Sequence, residues 1–277
     1  MSLLSTPMDE SSFEFARGFG YFRCMADLLC SLRDLSVVVD NGDSHRSVVR
    51  DISFDIRDGE IVVLVGESGS GKTTLARALT RLFPQMSGLV VRGAVLFKEE
   101  SLLDCTAERL QEIRRRHIRY VFQDPMLFLD PLQTVRSQLI AASPGGNITD
   151  GLLGSVGLDD GVLKLFPHQL STGMAQRVAI AMALQASPDL IIADEPTSAV
   201  DASLKNRLLN TLVEARRERG MSLLLITHDL GIARQCADGV IVLYQGQVVE
   251  KASCKDFFAR PLHPYSQILI ETSLSKR

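Results

Sequence analysis

Eight consecutive residues, Gly66-Glu67-Ser68-Gly69-Ser70-Gly71-Lys72-Thr73, match the pattern GxxxxGK[ST]. Glycines let the backbone curl until successive N–H groups face one centre, so such a loop cradles the oxygens of a phosphate chain. Lys72 would place a cation on the outer phosphates and Thr73 would offer a hydroxyl to Mg²⁺, with Thr74 next in line. Farther along, Asp194-Glu195 supplies two adjacent carboxylates. Successive side chains of a strand point to opposite faces, so the pair suits two tasks: Asp194 to hold Mg²⁺ through its water shell, Glu195 to orient or deprotonate an attacking water. The chemistry these types describe is phosphate binding followed by hydrolysis.

The residues need a scaffold that brings them together. Four short apolar runs, Ile61 to Val65, Tyr120 to Phe122, Leu190 to Ala193 and Leu223 to Ile226, have the continuous hydrophobicity of parallel strands buried on both faces. Each ends at a polar site: the loop at Gly66, then Gln123, then Asp194-Glu195, then Thr227-His228. Ligands of open parallel sheets sit beyond the carboxyl ends of the strands, so the four endings are expected to converge. After the glycine loop, Leu75, Ala78, Leu79 and Leu82 mark one face of a helix whose positive N-terminal end would meet the phosphates. Another helix is expected from about Met174 to Ala186, with Pro167 disfavouring helix just upstream. Its first amides, with the Ser171 hydroxyl, make an anion site that lacks a nucleotide of its own. Gln133 to Ala142 reads as a helix, Ser143-Pro144-Gly145-Gly146-Asn147 as a loop, Val240 to Val249 as a hairpin, and Arg114-Arg115-Arg116-His117 as a solvated helix end.

The segment Leu170-Ser171-Thr172-Gly173-Met174-Ala175-Gln176-Arg177 resembles the LSGGQ signature of ATP-binding cassette (ABC) ATPases. That resemblance covers about residues 28 to 270. It implies an α/β fold: a P-loop NTPase core with a mainly parallel sheet, an antiparallel β subdomain, and an inserted α-helical subdomain over about 124–187. It also implies ATP and Mg²⁺ as ligands, with Ser171 and Gly173 binding the γ-phosphate held on another subunit's P-loop. Gln123, in Phe122-Gln123-Asp124-Pro125, resembles the glutamine that touches Mg²⁺ or the attacking water. His228 resembles the switch histidine, and Asp201, in Ser198-Ala199-Val200-Asp201, resembles the loop that crosses the dimer interface. The tail Arg260-Pro261-Leu262-His263-Pro264-Tyr265-Ser266 is similar to that of oligopeptide, dipeptide and nickel importer ATPases. Implied partners are a sister ATPase, with a heterodimer favoured, two transmembrane permease subunits and an extracytoplasmic solute-binding protein. The implied location is peripheral, on the cytoplasmic face of the inner membrane. The sequence departs from the pattern at Thr172, where the family has glycine, and at Met174, where it has glutamine; weakened turnover is expected at the site built from this signature. An ATP-binding assembly or regulatory subunit is the alternative those departures allow. The stretch Asn41 to Arg46 offers only His45 for stacking on a base, so adenine selectivity is expected to be loose.

Composition narrows the rest. The chain has 277 residues, 30 Lys+Arg against 33 Asp+Glu, and a formal charge of -3, which provides no basic field for a nucleic-acid partner. Its 5 cysteines are scattered without metal-ligand spacing; free thiols and no iron–sulfur cluster are expected. No apolar run approaches a membrane span. Residues 1–24 read as a flexible extension or a mis-assigned start, with Met25 opening an ATPase domain over 25–277 whose importer-type tail begins near 251.

Overall fold

The computed structural model describes residues 28–40, 45–83, 88–198 and 202–274; the segment 1–24 and Asp201 lie outside the described residues. In chain order the elements are β1 (Leu28–Asp40), β2 (His45–Arg57), β3 (Ile61–Val65), α1 (Lys72–Leu79), β4 (Leu89–Phe97), β5 (Glu100–Ser101), α2 (Ala107–Arg116) and β6 (Ile118–Val121). There follow α3 (Val135–Ala142), α4 (Leu152–Ser155), α5 (Thr172–Gln185), β7 (Leu190–Asp194), α6 (Ala202–Arg219) and β8 (Ser222–Thr227). The chain closes with α7 (Leu230–Cys236), β9 (Gly239–Tyr244), β10 (Gln247–Ser253), α8 (Cys254–Ala259) and α9 (Pro264–Leu274).

Among the described residues, one sheet has the order β10-β9-β3-β8-β7-β6, parallel except for the edge strand β10. The other is antiparallel, β2-β1-β4-β5. The apolar runs are continuous because both faces of the parallel sheet are covered. Val63, Val65, Ile191 and Leu225 face a core shared with α5 and with Phe257 and Tyr265 of the tail. Val62, Leu64, Ile192 and Ile226 face the opposite core, shared with Leu75 and Leu79 of α1 and with the antiparallel sheet. Each expected strand forms: β3 has the expected bounds, and β6, β7 and β8 differ from theirs by one or two residues at one or both ends.

The helices depart from the pattern at their ends, and each departure has a local cause. α5 starts at Thr172 rather than Met174 because the Ser171 hydroxyl accepts the Met174 N–H at 3.2 Å as an N-cap. α3 starts at Val135 rather than Gln133 because Thr134 caps it through the Ser137 N–H. α1 stops at Leu79, which leaves Leu82 outside the helix, and Arg81 takes a left-handed φ of 51°.

This stop explains Arg114. The expected solvated helix end holds for Arg115 and Arg116, which are exposed, but Arg114 donates to the carbonyls of Thr80 and Arg81, each at 2.8 Å. It therefore satisfies acceptors that the end of α1 leaves open. His117 likewise has a partner, Asp189, at 2.7 Å. Arg114→Ala is expected to lower stability by about 1.5–3 kcal/mol, the range for hydrogen bonds to a charged group. Urea unfolding measures this, and an unchanged midpoint would remove Arg114 from the role.

Candidate active site

The glycine loop closes because there is no room for anything larger. At Gly66 a Cβ would sit 2.2 Å from the Leu243 carbonyl of β9, and Gly71 has φ +102° with its Cβ position against the Val48 carbonyl. The turn returns the chain into α1 beside β3. Lys72, 8% exposed, donates from Nζ to the carbonyls of Gly66 at 2.8 Å and Glu67 at 2.7 Å. Burial pulls its ammonium below the ordinary lysine range, while Glu195, Asp194 and Glu67 pull it back.

Two carboxylates face this lysine, Asp194 at the end of β7 and Glu195 just beyond it, and the left-handed turn at Glu195 makes them diverge. Asp194 is buried and accepts the Tyr120 hydroxyl of β6 at 3.2 Å. Glu195, at a left-handed φ of 49°, turns toward β8 instead. There its Oε1 accepts the His228 N–H at 3.1 Å and lies 2.7 Å from His228 Nδ1. A non-glycine residue held at positive φ costs of order 1–3 kcal/mol, a strain common at sites of chemistry.

One cavity of about 1140 Å³ collects these groups. Among the P-loop residues expected there, all but Ser70 line it, and so do Gln123, Asp194, Glu195 and His228. The Ser70 side chain is buried, and its carbonyl accepts the Gly246 N–H at 3.0 Å, tying the loop to the β9–β10 turn. Ser171 and Gly173, at the start of α5, are not part of this cavity. The Ser171 oxygen is occupied as a helix cap but its O–H stays available as a donor, so capping and anion binding are compatible.

The site suits a hard divalent cation. Asp194 Oδ1 is a buried carboxylate oxygen without a hydrogen-bond partner. Burial raises the carboxyl above the usual aspartate range, against the pull of the Thr73 and Tyr120 hydroxyls, and neighbouring Glu195 raises it further. A cation would favour the charged form, and the Thr73 hydroxyl, the Gln123 amide and Asp194 form an oxygen donor set of the kind Mg²⁺ takes.

Sequence reasoning did not place the tail here. Ile268, Leu269 and Thr272 of α9 line the cavity, and the Glu67 N–H donates to the Tyr265 hydroxyl across 198 positions of sequence at 2.8 Å. The Pro261-to-Tyr265 text was visible as a motif, but nothing in its spacing connects it to the glycine loop. Val48 of β2 also lines the cavity.

The comparisons with known proteins agree with this geometry. The family model described as ABC transporter matches residues 49–198. The chain is 38% identical over 263 residues, 91% of its length and 78% of the relative's, to a probable peptide ABC transporter ATP-binding protein of Sinorhizobium fredii. This chain belongs to the ABC transporter ATP-binding family. It is an ABC ATPase, an enzyme of the class that couples ATP hydrolysis to transport. A second relative of this cassette is the dipeptide transport ATP-binding protein DppD of Bacillus subtilis, 38% identical over 87% of this chain and 75% of that one. A dimeric post-hydrolysis structure of the ATP-binding cassette MJ0796, bound to ADP and Pi, superposes with a TM-score of 0.72 at 28% identity. It covers 82% of this chain and 99% of that one. The expected ABC ATPase fold is therefore correct, including its parallel core and antiparallel subdomain. Among the described residues, no helix is long and apolar enough to cross a membrane.

Proposed function

We propose that this ABC ATPase energises a peptide importer, working at the cytoplasmic face of the membrane in a dimer with a sister cassette. The observation that carries the catalytic part is the single cavity in which Lys72, Asp194, Glu195, Gln123 and His228 meet. The curated relatives, named as peptide and dipeptide transport proteins, support the cargo class. A nickel chelate is the other cargo that the tail resemblance allows.

In this reading the P-loop amides and Lys72 bind the phosphates, and the α1 N-terminus adds its dipole. Thr73, Gln123 and Asp194 would hold Mg²⁺, which when bound neutralises phosphate charge. Glu195 takes the proton of the attacking water, and His228, bonded to Glu195, fixes that carboxylate and reaches toward the γ-phosphate. Ser171 and Gly173 lie apart from this chain's own cavity and serve the nucleotide of the sister cassette, whose signature in turn completes this site. Two permeases and an extracytoplasmic binding protein complete the transporter, and 25–277 acts as the ATPase domain.

The test is reconstitution of the complex in vesicles, with ATP-dependent uptake of labelled short peptides as the expected result. Uptake of a nickel chelate without peptide would reassign the cargo.

A second reading, an ATP-binding assembly subunit, draws on Thr172. This residue opens α5 beside Ser171, where a β-branched side chain crowds the approach of a phosphate. The altered signature of this chain, with its importer-type tail, also favours a heterodimer. Thr172→Gly is expected to raise ATP turnover of the assembled complex by about threefold to tenfold, up to roughly 1.4 kcal/mol of barrier. Steady-state phosphate release measures it, and an unchanged rate would separate Thr172 from the control of turnover.

A further inference from the structure

Glu67 is held from two sides. Its carbonyl accepts from Lys72 Nζ at 2.7 Å and its N–H donates to the Tyr265 hydroxyl at 2.8 Å, so this residue of the P-loop backbone joins the lysine to α9. The tyrosine is itself fixed in place. It is 7% exposed, and its ring packs on Tyr244 at the end of β9 with centroids 4.3 Å apart. The turn leading into α9 is anchored by Glu250 of β10, a buried side chain whose two oxygens accept the N–H groups of Leu262 and His263 at 2.9 Å each. Tyr265 N–H then donates to His263 Nδ1 at 3.2 Å. A continuous set of hydrogen bonds thus runs from β10 through the tail to the P-loop. One and two turns farther along α9, Ile268, Leu269 and Thr272 line the cavity that contains Lys72.

Packing alone does not require the hydroxyl, since a phenylalanine would fill the same space against Tyr244. What the hydroxyl adds is an acceptor for a backbone N–H of the phosphate-binding loop. Lys72 Nζ has three N–H donors, two of them held by the Gly66 and Glu67 carbonyls, so the third can reach the nucleotide with both bonds kept. A loop whose peptide planes are already fixed loses less conformational freedom when phosphate binds.

We propose that Tyr265 is a positioning residue for nucleotide binding: its hydroxyl fixes the Glu67 segment that orients Lys72, while α9 forms one wall of the nucleotide cavity. The proposal rests on the reading of Lys72 as the phosphate-binding cation. The tail is then part of the ATPase site, and displacement of α9 would loosen the P-loop.

The experiment compares Tyr265→Phe and Tyr244→Phe with the wild-type full-length chain by calorimetric titration of Mg-ATP and by thermal unfolding. Tyr244→Phe removes a neighbouring hydroxyl that bonds Gln245 rather than the P-loop, which controls for general loosening of the ring pair. Tyr265→Phe is expected to weaken Mg-ATP binding by about threefold to tenfold, the range for one neutral hydrogen bond. The Tyr244 variant keeps wild-type affinity. In the assembled complex, Tyr265→Phe should raise KM more than it lowers kcat. Unchanged affinity in Tyr265→Phe, or an equal loss in both variants, would overturn the role of the hydroxyl. If Tyr265→Phe does not fold, hydrogen exchange of the wild type decides: Mg-ATP is expected to increase protection at residues 264–274, and no increase would overturn the proposal. Failure of the wild-type chain to bind Mg-ATP would instead overturn the phosphate-binding reading of Lys72, and this proposal with it.

Discussion

Glu195→Gln is expected to bind Mg-ATP about as well as the wild type while hydrolysing it roughly 10² to 10⁴ times more slowly, the usual cost of losing a positioned general base. The substitution keeps the shape of the side chain and an oxygen for the His228 N–H, which lies 3.1 Å from Oε1. It removes the negative charge and most of the basicity. The phosphate-binding groups are elsewhere, on the P-loop, so affinity has no reason to fall. Phosphate release and nucleotide affinity should be measured in a complex whose sister cassette carries the equivalent substitution, so that the second site cannot supply the turnover. Full activity there would exclude Glu195 as the base. The left-handed φ of 49° at this position makes the result informative, because the strain aims the carboxylate at β8 and His228 rather than along the sheet toward Asp194.

Lys72→Ala is expected to fail one step earlier, at binding. The ammonium is nearly buried and is the cation that the site sets against Glu195, Asp194 and Glu67. Truncating one partner of a buried, hydrogen-bonded charge pair costs about 2–5 kcal/mol. That corresponds to a loss of roughly 30-fold to several-thousand-fold in ATP affinity. The carbonyls of Gly66 and Glu67 also lose their donor, so the empty loop is expected to relax. Calorimetric titration with Mg-ATP measures the effect, and wild-type affinity in this variant would show that the P-loop amides suffice without the lysine. The two variants separate binding from chemistry: Glu195→Gln should retain nucleotide and not turn it over, whereas Lys72→Ala should not retain it.

Much of the site was legible because the signals that build it are local. A strand buried on both faces has to be apolar throughout, so Ile61–Val65, Leu190–Asp194 and Ser222–Thr227 were readable within a residue or two, along with the polar residues at their ends. The convergence of those ends follows from parallel pairing, which holds β3, β8 and β7 side by side. Helix ends were less legible. Hydrophobic periodicity does not report which side chain caps a helix: Ser171 and Thr134 each set a helix start through one hydrogen bond, and Arg114 holds the end of α1 through the carbonyls of Thr80 and Arg81. The motif likewise names the loop without saying what ties it down: the Ser70 carbonyl accepts the Gly246 N–H of the β9–β10 turn.

The sequence by itself determined the class of chemistry: a phosphate-cradling loop, two adjacent carboxylates at a strand end, and a signature segment that resembles that of ABC ATPases. Only the tertiary structure decided which distant groups hold those residues in place. Tyr265 reaches Glu67 from 198 positions away, and His228 meets Glu195 across 33. A motif is selected by what its own backbone must do, so it is written in consecutive residues. The contacts that support it need only arrive at the right place in space, and the chain folds them there without leaving a pattern in the spacing.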